Sequence, residues 1–546
     1  MATLVTRTSK GSNLSNEEVD ANFINLNTEL GTKVSLASPV FTTAATIPLS
    51  SSFQITANNI SAIKPTLQLD FLNSTKLDSR ITFSRTHSAA TNVATRVSPK
   101  GFIETVGSGV PRFDYDPVTR APLGFLVESA RTNVILNSGN PAVTHQVTVT
   151  GGSGTFQNGE TVTAGGGGTG QYDSTNSSAT VFCVMNGTGT FTGTLTGLSS
   201  GATRTISIAA NIRSFNNLVT TAFADTAPDE TQTATRLTET TANAVHSSQL
   251  IVSTSFTALA YHSISVYAKA GERSQLIIGA GITSAFDTYQ YGKFNLTTGV
   301  ASTFIGSPAV SIIAAGNGWY RCTVVVRAST TASSSVDLQL LNESGGNSYT
   351  GETGSGLLIW GLQLESGEGS TSYIPTTTTT WSRIADTATM NSVIPWYNQT
   401  EGTIFAQFRA GSVNFPSLTQ PVLQLGSTAS SINNIYLARS GGATIARARL
   451  VSRTPLGSDV DTAVGSGIAI PPYSVARIAG AIATNNYIAA HKGVLSTADT
   501  SVVVPNVESL TLGWYIFASG RLCGHLQSVL YYPKRLSNSE LQALTT

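Results

Sequence analysis

The run Gly165-Gly166-Gly167-Gly168-Thr169-Gly170 has the glycine spacing that can cradle a dinucleotide pyrophosphate. That chemistry needs a strand before the glycines and a helix after them whose N-terminus meets the phosphates. Residues 171–178 are polar and turn-like, so the run reads as a glycine loop. Gly197-Leu198-Ser199-Ser200-Gly201 has the form of a nucleophile elbow, which would need a buried strand before Ser199 and a helix after it. Its surroundings are β-like and glycine-rich, so no nucleophile is assigned. His87, His145, His246, His262, His491 and His525 never stand at metal-ligand spacing from one another. They read as structural or exposed, with His525 at the edge of a core. Asp459 and Asp461, beside Gly457, could lend oxygens to calcium, but the run lacks the dense acidic pattern of such a loop. It reads as a solvated loop, and neither a metal nor a cofactor is expected.

Sugar binding is chemistry these residue types could support. It needs an aromatic face against a pyranose ring and polar groups for the hydroxyls. In the C-terminal third the candidates are Trp396, Tyr397, Tyr473, Trp514 and Tyr515. Trp514 and Tyr515 are adjacent on an expected strand and so should point to opposite faces. Trp319 and Trp360 lie in strand-like motifs and are assigned to cores. Glycoside hydrolysis would need two carboxylates roughly 5–10 Å apart in a cleft. Acidic residues are sparse and no regular β-helix repeat is visible, so the expectation is a binding protein with no catalytic residue.

These side chains must be positioned by short strands. Of 546 residues only 11% are charged while 40% are hydrophobic, enough apolar material for several cores. Thr, Val and Gly richness favours strands and tight turns. With 31 basic and 30 acidic residues the formal charge is +1, and no basic stripe for phosphate neutralisation appears, so no nucleic-acid partner is expected. Cys183, Cys322 and Cys523 are too far apart in sequence for a disulfide scaffold or zinc site. No stretch approaches the roughly 18 apolar residues of a membrane span, and residues 1–10 lack a signal-peptide core.

Residues 15–30 open with a capping box, Ser15 and Glu18, and place Val19, Phe23, Leu26 and Leu30 on one helical seam. A helix this short is marginal alone, so the seam is expected to self-associate. Residues 36–64 carry isolated apolar side chains between Ser, Thr and Pro, a β stalk or linker. Between 65 and 140 Arg80, Arg85, Arg96, Arg112, Arg120 and Arg131 alternate with Asp70, Asp78, Asp114, Asp116 and Glu128, a pattern suited to structural ion pairs. Residues 141–203 form a Gly/Thr-rich insertion. In it Gly152-Ser153-Gly154-Thr155-Phe156 is echoed by Gly187-Thr188-Gly189-Thr190-Phe191, as in a duplicated hairpin. Runs at 263–268, 276–278, 319–326 and 336–341 read as strands of a jelly roll grouped with 65–140 into one region that resumes at 204 and ends at 380. Residues 381–546 form a second sandwich, with an Asn485-Asn486 turn and a closing helix capped by Ser537 and Glu540.

Several of these segments resemble phage proteins. Asn16-Glu17-Glu18-Val19-Asp20-Ala21-Asn22-Phe23-Ile24-Asn25-Leu26-Asn27 is similar to the virion-proximal opening of many tail fibres, and Ser38-Pro39-Val40-Phe41-Thr42 to the short repeats of fibre shafts. Asp70-Phe71, Leu77-Asp78-Ser79-Arg80-Ile81, Val110-Pro111-Arg112-Phe113-Asp114-Tyr115-Asp116-Pro117 and Arg131-Thr132-Asn133 resemble a recurrent phage structural block. That block commonly precedes a carbohydrate-binding-type jelly roll, matched here by Asn317-Gly318-Trp319-Tyr320-Arg321 and Trp360-Gly361-Leu362-Gln363-Leu364-Glu365. The stretch from Gly524-His525-Leu526 to Tyr531-Tyr532-Pro533-Lys534-Arg535-Leu536-Ser537 looks like the end of a concanavalin A-like (laminin-G-type) domain. The resemblance implies a homotrimeric tail fibre, made in the host cytoplasm, that joins tail or baseplate proteins through its N-terminus. Its distal modules would bind host surface polysaccharide or lipopolysaccharide without inserting into the membrane. A polysaccharide-degrading tailspike and a purely structural spacer are the alternatives.

Overall fold

The computed structural model describes residues 63–85, 94–250, 255–281, 285–411, 419–427, 432–442, 445–453, 459–464, 468–515 and 521–546. The expected helix of Val19, Phe23, Leu26 and Leu30, the stalk up to residue 62, and His87 lie outside the described residues. The described chain is mainly β, its strands gathered into two sandwiches and a closed barrel, with one helix among the described residues, Asn538–Thr545.

The C-terminal sandwich has two antiparallel sheets. The first runs in the order Val494–Leu495, Ile488–His491, Val475–Ala483, Glu401–Arg409, Gly524–Tyr532, Pro122–Val127, Phe113–Tyr115, and Leu67–Asp70 also pairs with Gly524–Tyr532. The second runs Ile81–Ser84, Thr387–Met390, Ser509–Leu512, Gln420–Gly426, Asn434–Gly442, Ile445–Arg453, Asp459–Ala463. In Glu401–Arg409 the alternation places Ile404, Ala406 and Phe408 in the inter-sheet core. Phe405 points the other way, into a cluster with Ala479, Ile488, Leu530 and Leu541 of the terminal helix. That helix starts as its sequence requires: the Glu540 amide donates to Ser537 Oγ at 3.3 Å and the Ser537 amide to Glu540 Oε2 at 2.7 Å. Asn485, at φ +55°, makes the turn between Val475–Ala483 and Ile488–His491. Asp459 and Asp461 stand in a paired strand, opposite Arg453 and Val451, and not in a loop. The strand Ile445–Arg453 supplies the partners that local polarity hid.

Residues 65–140, expected to join 204–380, divide instead. Leu67, Leu69, Phe71, Ile81, Phe113, Phe125 and Val127 fill the core of the C-terminal sandwich, whose remaining strands begin only at Thr387. The segment also touches the jelly roll, through Ile103 against the Trp319 and Trp360 cluster and, at its end, through Asn133 and Ile135. The apolar residues of this segment are too few to close a core with one another, so they complete one built mostly from distant strands. Gly124 shows how close the fit is. Its φ is +110°, and a Cβ there would lie 2.2 Å from the Leu526 carbonyl oxygen. Gly124→Ala is expected to cost about 1–3 kcal/mol through overpacking against backbone, read as a lower midpoint in denaturant unfolding.

The jelly roll consists of two six-stranded sheets. One runs Arg213–Asn216, Ser247–Leu250, Val336–Leu341, Gln275–Ala280, Gln290–Asn295, Val300–Ile305. The other runs Leu218–Asp225, Ala234–Glu239, Gly356–Ser366, Tyr261–Ala270, Trp319–Arg327, Ala309–Ala314. Leu276, Ile278, Val324, Leu338 and Ile359 lie between them. Trp319 and Trp360 are buried, as their motifs suggested. The Gly/Thr-rich insertion closes into a six-stranded barrel made by Val143–Ser153, Thr161–Ala164, Thr169–Asp173, Val181–Thr188, Thr194–Gly197 and Thr203–Asn211. Each copy of the echoed motif overlaps or follows the end of a long strand, Val143–Ser153 or Val181–Thr188, and sends its phenylalanine, Phe156 or Phe191, into the barrel core. The glycine run spans the turn between Thr161–Ala164 and Thr169–Asp173, where Gly167 takes φ +86°.

Candidate functional site

Where the sandwich meets the jelly roll, a cavity of about 160 Å³ is lined by polar side chains from both. It is smaller than the roughly 300–1,000 Å³ clefts of whole small ligands, so it suits a terminal group. From the sandwich come Arg409, Asp114 and His525. Arg409 is the cross-strand neighbour of His525 in the first sheet, which puts both on one face. His525 Nε2 lies 2.8 Å from Asp114 Oδ2, while Asp114 Oδ1 accepts from the Val97 amide at 2.6 Å. Asp114 thus has a partner on each oxygen. The Arg409 guanidinium makes no hydrogen bond or ion pair among the described residues.

From the jelly roll come Tyr267 and Arg321, cross-strand partners. The Arg321 guanidinium lies 5.3 Å from the Tyr267 ring centroid and donates to the Thr371 carbonyl at 2.6 Å and to Ser265 Oγ at 3.1 Å. Both acceptors are neutral, and among the described residues no carboxylate forms an ion pair with Arg321. Tyr473 completes the wall from a turn, in the left-handed region at φ +58°, its amide donating to the Ala410 carbonyl at 3.0 Å. Such backbone is costly for a residue with a Cβ and often marks a functional site.

Behind the cavity lies a buried ion cluster. Arg112 Nη1 contacts Glu128 Oε2 at 2.7 Å and its Nη2 contacts Asp386 Oδ2 at 2.5 Å. Arg85 meets Asp386 at 3.0 Å and Arg383 meets Glu128 at 3.2 Å. All five side chains are at most 5% exposed. The surplus guanidinium donors reach carbonyls of Thr95, Gly107, Val110 and Ser129. Burial alone would raise the Glu128 carboxyl, but Arg383, Arg112 and the donors of Ser372 more than reverse this and hold it far below the ordinary carboxylate range. Glu128 also fastens the strap 370–373, accepting from the Ser372 amide and hydroxyl at 2.7 Å each. The strap carries Thr371, which positions Arg321.

Of the aromatic candidates, Tyr473 alone lines this cavity. Trp396 and Tyr397 pack on Tyr531 with ring centroids 5.2 and 5.0 Å away, the first 4% exposed, so their faces are spent on the core. Tyr515, 7% exposed, packs against Tyr436. Trp514 is half-buried beneath the Arg521 guanidinium, 4.7 Å from its centroid. Trp514 and Tyr515 lie beyond the end of Ser509–Leu512, so the expected alternation on one strand does not apply. Asp114, His525, Arg321 and Arg409 were not proposed as a site from sequence. A charge ending an otherwise apolar alternation, as Arg409 does, was the available signal. Ser199 belongs to a turn: its amide and that of Ser200 donate to Glu160 at 3.2 and 3.0 Å. Among the described residues no group of three or more His, Cys, Asp or Glu is placed to hold a metal ion, and no helix is long and apolar enough to cross a membrane.

These features define a mainly β chain of two sandwiches and a barrel, with a polar, arginine-bearing cavity where the sandwiches meet. No known family profile and no curated protein matches it. Among solved structures it is similar to the CBM40 module of a Ruminococcus gnavus IT-sialidase bound to α2,3-sialyllactose, at 16% identity over 27% of this chain and 83% of that one, TM-score 0.23. Mouse laminin α1 domains LG4-5 match at 10% identity over 54% of this chain and 85% of that one, TM-score 0.19. A Trypanosoma rangeli sialidase matches at 13% over 69% and 66%, TM-score 0.22. Likenesses this slight leave the function to be read from the chain's own residues.

Proposed function

We propose that the chain is a bacteriophage tail fibre, a virion protein that binds host surface polysaccharide or lipopolysaccharide at the cavity between its sandwiches and does not cleave it. The observation that carries the binding reading is the convergence of Arg409, whose guanidinium makes no hydrogen bond or close ion pair with a described residue, with Arg321, Tyr473 and the Asp114–His525 pair in one cavity. Guanidinium donors and a tyrosine are what a sugar's oxygens and ring face require. The fibre reading rests on the tail-fibre resemblance of residues 16–27 and 38–42, with Val19, Phe23, Leu26 and Leu30 forming a threefold seam. Glu128 supports binding without turnover: locked by two arginines and a serine, it can neither donate a proton nor act as a nucleophile, and hydrolysis needs a second free carboxylate.

The test uses the full chain on an array of bacterial surface polysaccharides. Binding should appear, Tyr473→Ala should weaken it about tenfold, in keeping with roughly 1.4 kcal/mol per tenfold, and no reducing ends should be released. The same preparation should sediment as a trimer. A compact single-chain species that binds no polysaccharide, or steady release of reducing ends, overturns the reading.

A further inference from the structure

A second cavity, of about 610 Å³, opens between the barrel and the jelly roll, away from the ion cluster. Its size falls within the roughly 300–1,000 Å³ range of ligand clefts. The barrel contributes Thr161, Thr169 and Gln171, all exposed and none with a side-chain hydrogen bond to a described residue. The jelly roll contributes its edge strand Leu218–Asp225. Between Thr221 and Asp225 that strand loses register with Ala234–Glu239: Thr221 faces Arg236 and Asp225 faces Ala234, so three residues stand against one. Phe223, in the middle of this bulge, takes φ +57°.

A phenylalanine in the left-handed region is a true outlier, at a cost of about 1–3 kcal/mol. Bulges re-aim side chains and are common beside binding sites. Here the bulge sets a half-buried ring in the cavity wall, close to Met185, with hydroxyls and an amide along the barrel side. Asn186 is fixed by the Thr220 hydroxyl, which donates to its Oδ1. No residue lining this cavity is titratable.

We infer that this cavity is a binding site for a neutral oligosaccharide, with Phe223 as the platform for one sugar ring and Gln171, Thr161 and Thr169 meeting its hydroxyls. An anionic ligand would find no counter-charge there. An aromatic face with neutral donors and acceptors is the chemistry of uncharged pyranose recognition. The inference is independent of the junction cavity, since the two share no lining residue.

Phe223→Gly tests it, because glycine adopts φ > 0 without penalty. The variant relieves the backbone while losing the ring's packing beside Met185, so the two effects oppose each other and the chain should stay folded with a cooperative thermal transition. Both proteins are run as full chains on an array of neutral linear oligosaccharides of glucose, galactose, mannose and N-acetylglucosamine. The wild type should bind at least one, Phe223→Gly should lose that binding by tenfold or more, and Phe223→Tyr should retain it. Gln171→Ala, at an exposed position, should weaken it severalfold. Absence of neutral-sugar binding by the wild type, or equal binding by Phe223→Gly, overturns the proposal. A wild type that binds neutral oligosaccharide through Phe223 but no acidic polysaccharide would support this cavity and overturn the junction-cavity reading.

Discussion

Replacing Asp386 with alanine is expected to destabilise the protein by about 3–5 kcal/mol, the range for removing one partner of a buried ion pair. Asp386 is fully buried, receives Arg85 on one oxygen and Arg112 on the other, and accepts the Glu128 amide at 2.9 Å. Without it, Arg85 and Arg112 lose their shared carboxylate, and the three buried guanidiniums are left with Glu128 and, near Arg383, Glu365. The partner loss, rather than the pair's net worth, sets this cost, since desolvated charge must then find water or unfold the region. Arg80→Ala is the matched control. Arg80 pairs with Asp78 at 2.8 Å but is 44% exposed, and loss of such a pair costs about 0–1 kcal/mol. Denaturant unfolding at neutral pH should separate the two variants clearly. A cost below about 1 kcal/mol for Asp386→Ala would show that the cluster is already hydrated. Acid should act on the same cluster. The Glu128 carboxyl is depressed in the folded state, so its contribution is complete above the unfolded pKa of about 4.3 and is lost as pH falls through the folded value. Progressive loosening of the strap 370–373 is therefore expected only below about pH 4.

Local pattern carried much of the fold. The alternation in 401–409, the runs that became Tyr261–Ala270 and Val336–Leu341, and the capping box at Ser537 each depend on near neighbours, and each is where the residues require. What local pattern cannot carry is pairing at long range. Leu67–Asp70 and Pro122–Val127 are β-prone segments whose partner, Gly524–Tyr532, comes some 400 residues later, so they read as part of whatever follows them. The site suffers the same way. Asp114 and His525 are separated by 411 positions, and nothing near either residue announces the other. Aromatic residues were the sensible sugar-binding candidates, but an aromatic side chain is also the most effective core filler. Trp396, Tyr397 and Tyr515 went to cores, and Tyr473, held in a left-handed turn, did not. The Arg/Asp alternation of 65–140 did announce ion pairs. It left unsaid that Asp386 and Arg383 would come from the far side of the jelly roll to complete them.

Charge reversal at Arg409 should have the largest effect on binding. In the junction cavity Asp114 is hydrogen-bonded to His525 and Glu128 is paired with Arg112 and Arg383, whereas Arg409 makes no hydrogen bond or close ion pair with a described residue, Asp116 acting on it only through space, and Arg321 donates to neutral acceptors. The cavity therefore holds positive charge that a ligand carboxylate can neutralise, in a site partly withdrawn from water where the pair is screened less than at the surface. If the ligand is a polysaccharide rich in uronic or other carboxylate sugars, Arg409→Glu should weaken binding by about 100- to 1,000-fold. This lies within the roughly 2–5 kcal/mol typical of a disrupted interfacial charge pair. Arg409→Lys should recover only part of the affinity, because an ammonium cannot present two parallel donors to a carboxylate. The decisive comparison holds the protein constant and changes the sugar. Carboxyl-reduced polysaccharide should bind the wild type as poorly as native polysaccharide binds Arg409→Glu, and native binding should fall as salt rises. Equal affinity of the wild type for native and carboxyl-reduced polysaccharide would mean that Arg409 serves the fold and that recognition runs through hydroxyls alone.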